Sequence, residues 1–300
     1  MNVSAQRFAT KTRTWLLFAG LTALLVGIGA LIGGTFLYVF VALAIAMNVI
    51  GYWFSDRLAL KASGASPVEP ETRPVLEATV QDLARRAQVP IPRLYTIQSE
   101  QPNAFATGRN PEHAAVAVTD GLLQQLPPEQ VESVLAHEFA HIKNRDILVS
   151  SIAAMVAGAI AAIANVLQFS LLFGGDDEDG GALGWIGLIG TIIFAPLAAS
   201  LLQLGVSRQR EYLADATGAE LLGRGAPLAD ALETLERRAQ TLPLDVNPAT
   251  ASLYIVNPLS RQGFATLFAT HPPLAERVRR LRALAQDRAV EQDRALRLVA

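Results

Sequence analysis

His137-Glu138-Phe139-Ala140-His141 is the stretch of this chain whose residue types and spacing speak most directly of chemistry. On a helix, residues four apart lie one above the other, so His137 and His141 present their imidazoles on the same face. Two imidazoles at that spacing can hold one Zn²⁺ ion at about 2.0–2.1 Å per nitrogen. Glu138 projects beside them, where its carboxylate can take a proton from water that the metal has made acidic. That is the arrangement of a metal-dependent peptidase. Two of the chain's four histidines fall in this one turn, which argues against an incidental pairing.

The neighbouring residues supply the helix. Pro127, Pro128 and Glu129 suit a first helical turn, where a missing N–H costs nothing and an acid meets the positive end of the helix dipole. Val131, Val134 and Leu135 then give an i, i+3, i+4 apolar stripe. A catalytic zinc also needs a third protein ligand and an open position for water. The chain has no cysteine, so it forms no disulfide and that ligand must offer nitrogen or oxygen. Glu211 and Asp215, within Ser207–Ala216, are four apart and share a helical face. One can ligate the metal while the other accepts the free N–H of a ligand imidazole. Without the histidine pair, the same acids read as a solvated salt-bridge face beside Arg208.

The composition sets this motif beside a membrane. With 51% hydrophobic and 17% charged residues and a mean hydropathy of +0.30, the chain is too apolar for an ordinary soluble enzyme. The excess lies in four uncharged runs, 15–33, 36–54, 147–173 and 182–206. Each can cross a hydrocarbon core of about 30 Å, which takes about 20 helical residues. The first run is longer than the apolar part of a signal peptide and a second span follows at once, so it reads as a permanent span. No Asp, Glu, Lys, Arg or His lies in any of the four, which argues against an ion or proton transporter.

Arg7, Lys11 and Arg13 precede the first run, and Arg57 and Lys61 follow the second. Lys143 and Arg145 precede the third, and Arg208 and Arg210 follow the fourth. Neither hairpin tip carries Lys or Arg, and the second reads Gly174-Gly175-Asp176-Asp177-Glu178-Asp179-Gly180-Gly181. The positive-inside rule then puts both termini and the motif in the cytoplasm. The fold class expected is a mainly α membrane protein, with four transmembrane helices and a cytoplasmic α+β zincin-like protease domain built on a small sheet. Its divisions fall at 1–55 (first hairpin), 56–146 (first part of the protease domain), 147–206 (second hairpin) and 207–300 (second part). Residues 63–73 read as a linker into a helix around 75–88.

Within the first soluble part, 113–119 reads as a strand ending at Asp120-Gly121. Ala115, Val116, Ala117 and Val118 are candidates for an edge strand that pairs with a substrate backbone, and 103–108 for the preceding turn or strand. Core packing explains the same residues equally well. There is no internal repeat and no phosphate-binding loop, and a net charge of -2 gives no sign of a nucleic-acid partner.

Four pieces in order along nearly the whole chain resemble the HtpX family of membrane-embedded zinc metalloproteases, relatives of the CAAX prenyl endopeptidases. They are Asn103-Ala104-Phe105-Ala106-Thr107-Gly108, the His137–His141 motif with Asn144, the Ser207–Ala216 segment, and Thr270-His271-Pro272-Pro273-Leu274 with Arg277. The resemblance implies one zinc per subunit held by His137, His141 and Glu211, with Glu138 as catalytic base. Asp215 and Asn144 would stand behind the ligands, and His271 and Arg277 near the developing oxyanion. It also implies an inner-membrane protease of membrane-protein or unfolded polypeptide substrates, in stress-related quality control. The acidic tip 174–181 is not part of the likeness.

The residues carry their own account of the last pair. His271 precedes Pro272-Pro273 and so sits on a turn feeding an Arg-rich helix, from which it and Arg277 can donate hydrogen bonds to an oxyanion. They can equally be a surface histidine and one arginine among Arg279, Arg280 and Arg282. Two other functions compete: a prenyl-protein endopeptidase, for which four spans are few, and an idle metal-bound scaffold, which would have no need of Glu138.

Overall fold

The computed structural model describes residues 3–32, 34–155, 208–242, 251–256 and 272–285. Residues 14–55 hold no charged side chain, and they fall in two long helices, α1 (Val3–Ile32) and α2 (Thr35–Ala62). Gly34, at φ 58°, makes the tight reversal between them in a conformation that favours glycine. Asn48 Nδ2 donates to Thr22 Oγ1 at 2.8 Å, and Thr22 Oγ1 donates to Phe18 O at 2.8 Å, a polar clip between two apolar helices.

Large apolar side chains point out from this pair: Trp15, Tyr38, Ile45 and Trp53 are 71%, 75%, 60% and 51% exposed. Such surface is unfavourable in water and favourable in lipid. Leu37–Ala62 is long and apolar enough to cross a membrane, while the apolar stretch within α1 is Trp15–Gly27. The third expected span is described only at its start, helical over 147–155; the rest of it, the fourth span and the acidic tip lie outside the described residues.

α2 continues unbroken through residue 55, the expected boundary. The stretch read as a linker contains a strand, β1 (Ala65–Pro67). Then come α3 (Pro74–Ala87), β2 (Arg93–Ile97), β3 (Ala104–Thr107), a short 3₁₀ turn, β4 (Ala115–Thr119), α4 (Asp120–Gln125) and α5 (Pro128–Asn144). After the second hairpin region lie α6 (Arg208–Leu222), α7 (Ala226–Thr241) and a helical segment over 274–285. The sheet order is β1-β2-β4-β3, with β2 and β4 parallel and the outer pairs antiparallel.

Both sheet faces are covered. Ala104, Ala106, Val116 and Val118 pack with α3, α5 and α7 through Leu83, Phe139 and Leu232. Phe105, Ala115, Ala117 and Ile97 pack the other way, against Leu17, Leu21, Val149 and Ile152 at the foot of the apolar helices. The sheet is therefore a plate between the apolar helices and the helices that carry the candidate site.

This overturns the reading of Ala115–Val118 as the edge. β4 is fully buried and paired on both sides, Val116 standing opposite Leu94 of β2 and Ala106 of β3 in the register. An unbroken apolar run marks a strand covered on both faces, and β4 is one. The sheet edges belong to β1 and β3.

α5 and α6 approach closely at Gly218, where a Cβ would come within 3.1 Å of His137 N and 3.2 Å of Ala136 O. A side chain there must push apart the two helices that carry the candidate ligands. Gly218→Leu is expected to cost about 1–3 kcal/mol in thermal or denaturant unfolding, and to weaken metal binding measured by chelator competition. Undiminished metal affinity would mean that the helix spacing does not set the site.

Candidate metal centre

The site is built on facing turns of α5 and α6. His137 and His141 are one turn apart on α5, their rings 4.7 Å between centroids and nearly perpendicular at 88°. Their Nε2 atoms are 3.1 Å apart. Glu211 comes from the first turn of α6, with Oε1 at 3.6 Å from His141 Nε2 and Oε2 at 3.7 Å from His137 Nε2. Tetrahedral zinc with bonds of 2.0–2.1 Å sets its ligands roughly 3.3 Å apart. The distances among the two imidazole nitrogens and the Glu211 carboxylate oxygens, 3.1, 3.6 and 3.7 Å, bracket that value, so the donor set fits.

The tautomers point the same way. His137 Nδ1 lies 3.0 Å from Asp215 Oδ1, a close polar contact that is angled away from a straight hydrogen bond. His141 Nδ1 lies 3.0 Å from Asp146 Oδ1, in hydrogen-bonding geometry. An acid behind each Nδ1 favours the proton there, leaving the two Nε2 lone pairs aimed at each other. Two lone pairs and a carboxylate converging in a buried site call for a cation. Burial, which lowers the His141 pKa, is outweighed by the charge and hydrogen bond of Asp146, and Glu211 and Glu138 add to the rise, to about 10. A proton on His141 is one cation that answers; a metal ion is the other.

Glu138 is 2% exposed. Burial pushes its carboxyl above the ordinary value, with Glu211 adding to the rise, while the imidazoles and the Ala106 backbone oppose it. Burial would raise Asp215 too, but the Arg277 charge and hydrogen bonds hold it well below the carboxylate range. Arg277 is 1% exposed; its Nε donates to Asp215 Oδ2 at 2.9 Å, its Nη2 to Asp215 Oδ1 at 2.7 Å and its Nη1 to Ile255 O at 3.1 Å.

The ligands and Glu138 line a cavity of about 20 Å³, closed by Ile147 and Ser150 on one side and by Ser252–Ile255 on another. That is room for about one water and not for a peptide. The closing segment lies on the free edge of β3: Ile255 N donates to Ala104 O at 3.1 Å and Asn103 Nδ2 to Val256 O at 2.8 Å. Tyr254, fully buried, packs edge-on against Phe105 at 5.0 Å.

His137, Glu138, His141, Glu211 and Asp215 thus come together as the sequence reading placed them. Arg277 has a different task from the one expected. Its guanidinium grips Asp215 behind the ligands and is not among the residues lining the cavity. Asn144 makes no hydrogen bond to either histidine among the described residues, its buried Nδ2 being without a partner; Asp146 stands behind His141 instead. His271 lies outside the described residues. Sequence reasoning passed over Asp146, although an acid directly after the helix end was there to be read.

Two histidines and a glutamate near tetrahedral spacing, with a buried glutamate beside them, form a candidate metal site. The family model for peptidase family M48 matches residues 70–285. A protein named Protease HtpX homolog from Pelotomaculum thermopropionicum is 50% identical over 276 residues, covering 91% of this chain and 98% of that protein. A namesake from Persephonella marina is 51% identical over 279 residues, covering 91% and 97%, and one from Pyrococcus furiosus 49% over 277, covering 92% and 96%. The crystal structure of S. mikatae Ste24p aligns with a TM-score of 0.48 at 20% identity, over 91% of this chain and 64% of its own. The chain belongs to peptidase family M48, and it is a metalloprotease.

Removing Arg277 separates the two tasks considered for it. Arg277→Ala leaves Asp215 buried without its partner and is expected to cost about 3–5 kcal/mol in unfolding experiments. A variant that unfolds like the wild type but has lost only kcat would return Arg277 to the oxyanion.

Proposed function

We propose that this chain is an integral-membrane zinc endopeptidase that cuts membrane-proximal segments of membrane proteins, or unfolded polypeptides, at the cytoplasmic face. The observation that carries this reading is the convergence of His137 Nε2, His141 Nε2 and Glu211 at tetrahedral zinc spacing, with Glu138 alongside. Zinc accords with two nitrogen donors, one oxygen donor and a position left for water. When bound, it would make water acidic and polarise the scissile carbonyl. Glu138 takes the proton of the attacking water and then passes it to the departing amine. Its upward-shifted carboxyl suits a group that must both accept and release a proton.

Substrate enters along β3. Asn103 O accepts from Thr119 N, on the inner side of the strand, so alternation leaves Ala104 and Ala106 facing outward. An extended peptide adding to that edge passes directly over Glu138 and the ligands. It must first displace Ser252–Val256, which lies there now.

Proximity to the membrane supports the choice of substrate. Only Arg145 and Asp146 separate α5 from the helical segment 147–155, whose Val149 and Ile152 pack with Leu17 and Leu21 of α1. Asp56 near the end of α2 pairs with Arg93 of β2, and Arg109 stacks over Trp53 at 4.8 Å. The basic flanks around the apolar runs favour a cytoplasmic site. Quality control of membrane proteins accords with such a position.

Glu138→Gln keeps the side chain's volume but cannot accept the proton. It should retain zinc, by metal analysis, and lose at least ~10²–10⁴-fold in cleavage of casein or a membrane-protein substrate. Cleavage within a few-fold of wild type would sink the assignment of Glu138 as base.

Ile255→Pro removes the N–H that holds the covering segment to Ala104. Peptide cleavage by this variant should be faster, with some loss of unfolding temperature because the Ile255 side chain belongs to the buried core. Unchanged or slower cleavage by a well-folded variant would mean that the segment does not stand in the substrate's way.

A further inference from the structure

We propose that Asp146 is a positioning residue for the metal, fixing the tautomer and the angle of His141 from behind. The proposal rests on the zinc-peptidase reading of the site and adds to it a residue outside the ligand set. α5 ends at Asn144, and Arg145 takes the left-handed conformation, φ 61° and ψ 36°. For a residue with a Cβ that conformation costs about 1–2 kcal/mol. The turn brings Arg145 N to Ile142 O at 3.1 Å and Asp146 N to His141 O at 3.2 Å. It thereby folds Asp146 back against its own helix, and its carboxylate meets the ring of His141 at 3.0 Å.

An aspartate directly before a helix has an ordinary alternative task, accepting backbone N–H groups of the first turn as its N-cap. Asp146 precedes the helical segment 147–155 but does not act in that way. Its Oδ1 serves His141, and its Oδ2, buried, has no hydrogen-bond partner. The residue is 2% exposed, so burying its carboxyl is costly and needs a reason. Holding the Nδ1 proton of a metal ligand supplies one: it leaves Nε2 free to ligate, raises the basicity of the ring and locks its orientation. Asp146 also precedes Ile147, the first residue of the segment packed against the apolar helices, so the imidazole's setting is tied to the point where the chain turns toward the membrane.

The test uses the full chain in detergent at one fixed pH, with zinc affinity measured by competition against a chromophoric chelator and the ligand field read from the visible spectrum after cobalt substitution. Asp146→Ala should weaken zinc by ~10–100-fold and alter the cobalt spectrum. Asp146→Asn keeps an acceptor for Nδ1–H, so it should recover most of the affinity and the wild-type spectrum. Wild-type affinity and spectrum in Asp146→Ala would overturn the proposal. So would equal impairment of both variants together with a lower unfolding temperature of the zinc-free protein, the mark of a purely structural residue. If the wild type itself takes up no zinc, the zinc reading fails, and that outcome is distinct because it precedes any variant.

Discussion

Glu138, Asp146, Glu211 and Asp215 are all buried at the junction of α5 and α6, and the Arg277 guanidinium reaches two of them, Asp215 and Glu211. Burying an unpaired ion costs several kcal/mol even after relaxation. A further cation stabilises such a cluster, and the convergent Nε2 atoms of His137 and His141 mark where it would sit. Much of the rest of the structure serves that demand. Gly218 lets the two helices close to backbone distance. Arg277 arrives from a distant helix to balance Asp215. The left-handed turn at Arg145 returns an acid to the far side of His141.

The sheet transmits this local demand to the membrane. With one face on α3, α5 and α7 and the other on α1 and the start of segment 147–155, it cannot shift without disturbing both. Its edge strand β3 is fastened at one end by Thr107 Oγ1 to Ser151 Oγ, 2.7 Å away, on the segment leading into the third apolar run. Strand β3, the candidate ligands and the foot of the apolar helices are thus parts of one packed unit.

The closed cavity has a related origin. A catalytic base held above its ordinary pKa needs a dry surrounding, and Ser252–Ile255 with Tyr254 packed on Phe105 helps to provide it. The same contacts exclude the substrate. Access and activation therefore draw on one segment, which the hydrogen bonds Ile255 N to Ala104 O and Asn103 Nδ2 to Val256 O and the buried Tyr254 help to hold against β3.

What the amino-acid sequence determined by itself is what lies within single elements. Helical spacing placed His137, Glu138 and His141 on one turn, and Glu211 with Asp215 on another, because periodicity is a property of the local backbone. The uncharged runs declared α1 and α2 for the same reason. Tertiary structure decided what depends on elements meeting across the chain. Arg277 and Asp215 are 62 residues apart, and Asn103 and Val256 are 153 apart; no local pattern encodes such a pairing. β3 is the edge and β4 the centre because of which strands found partners, although the unbroken apolar run of Ala115–Val118 already hinted at a covered strand. Asp146 lies between the two cases. It is five residues from His141, near enough to be read, yet only a left-handed turn at a non-glycine residue brings its carboxylate round, and that conformation is held by the packing around it.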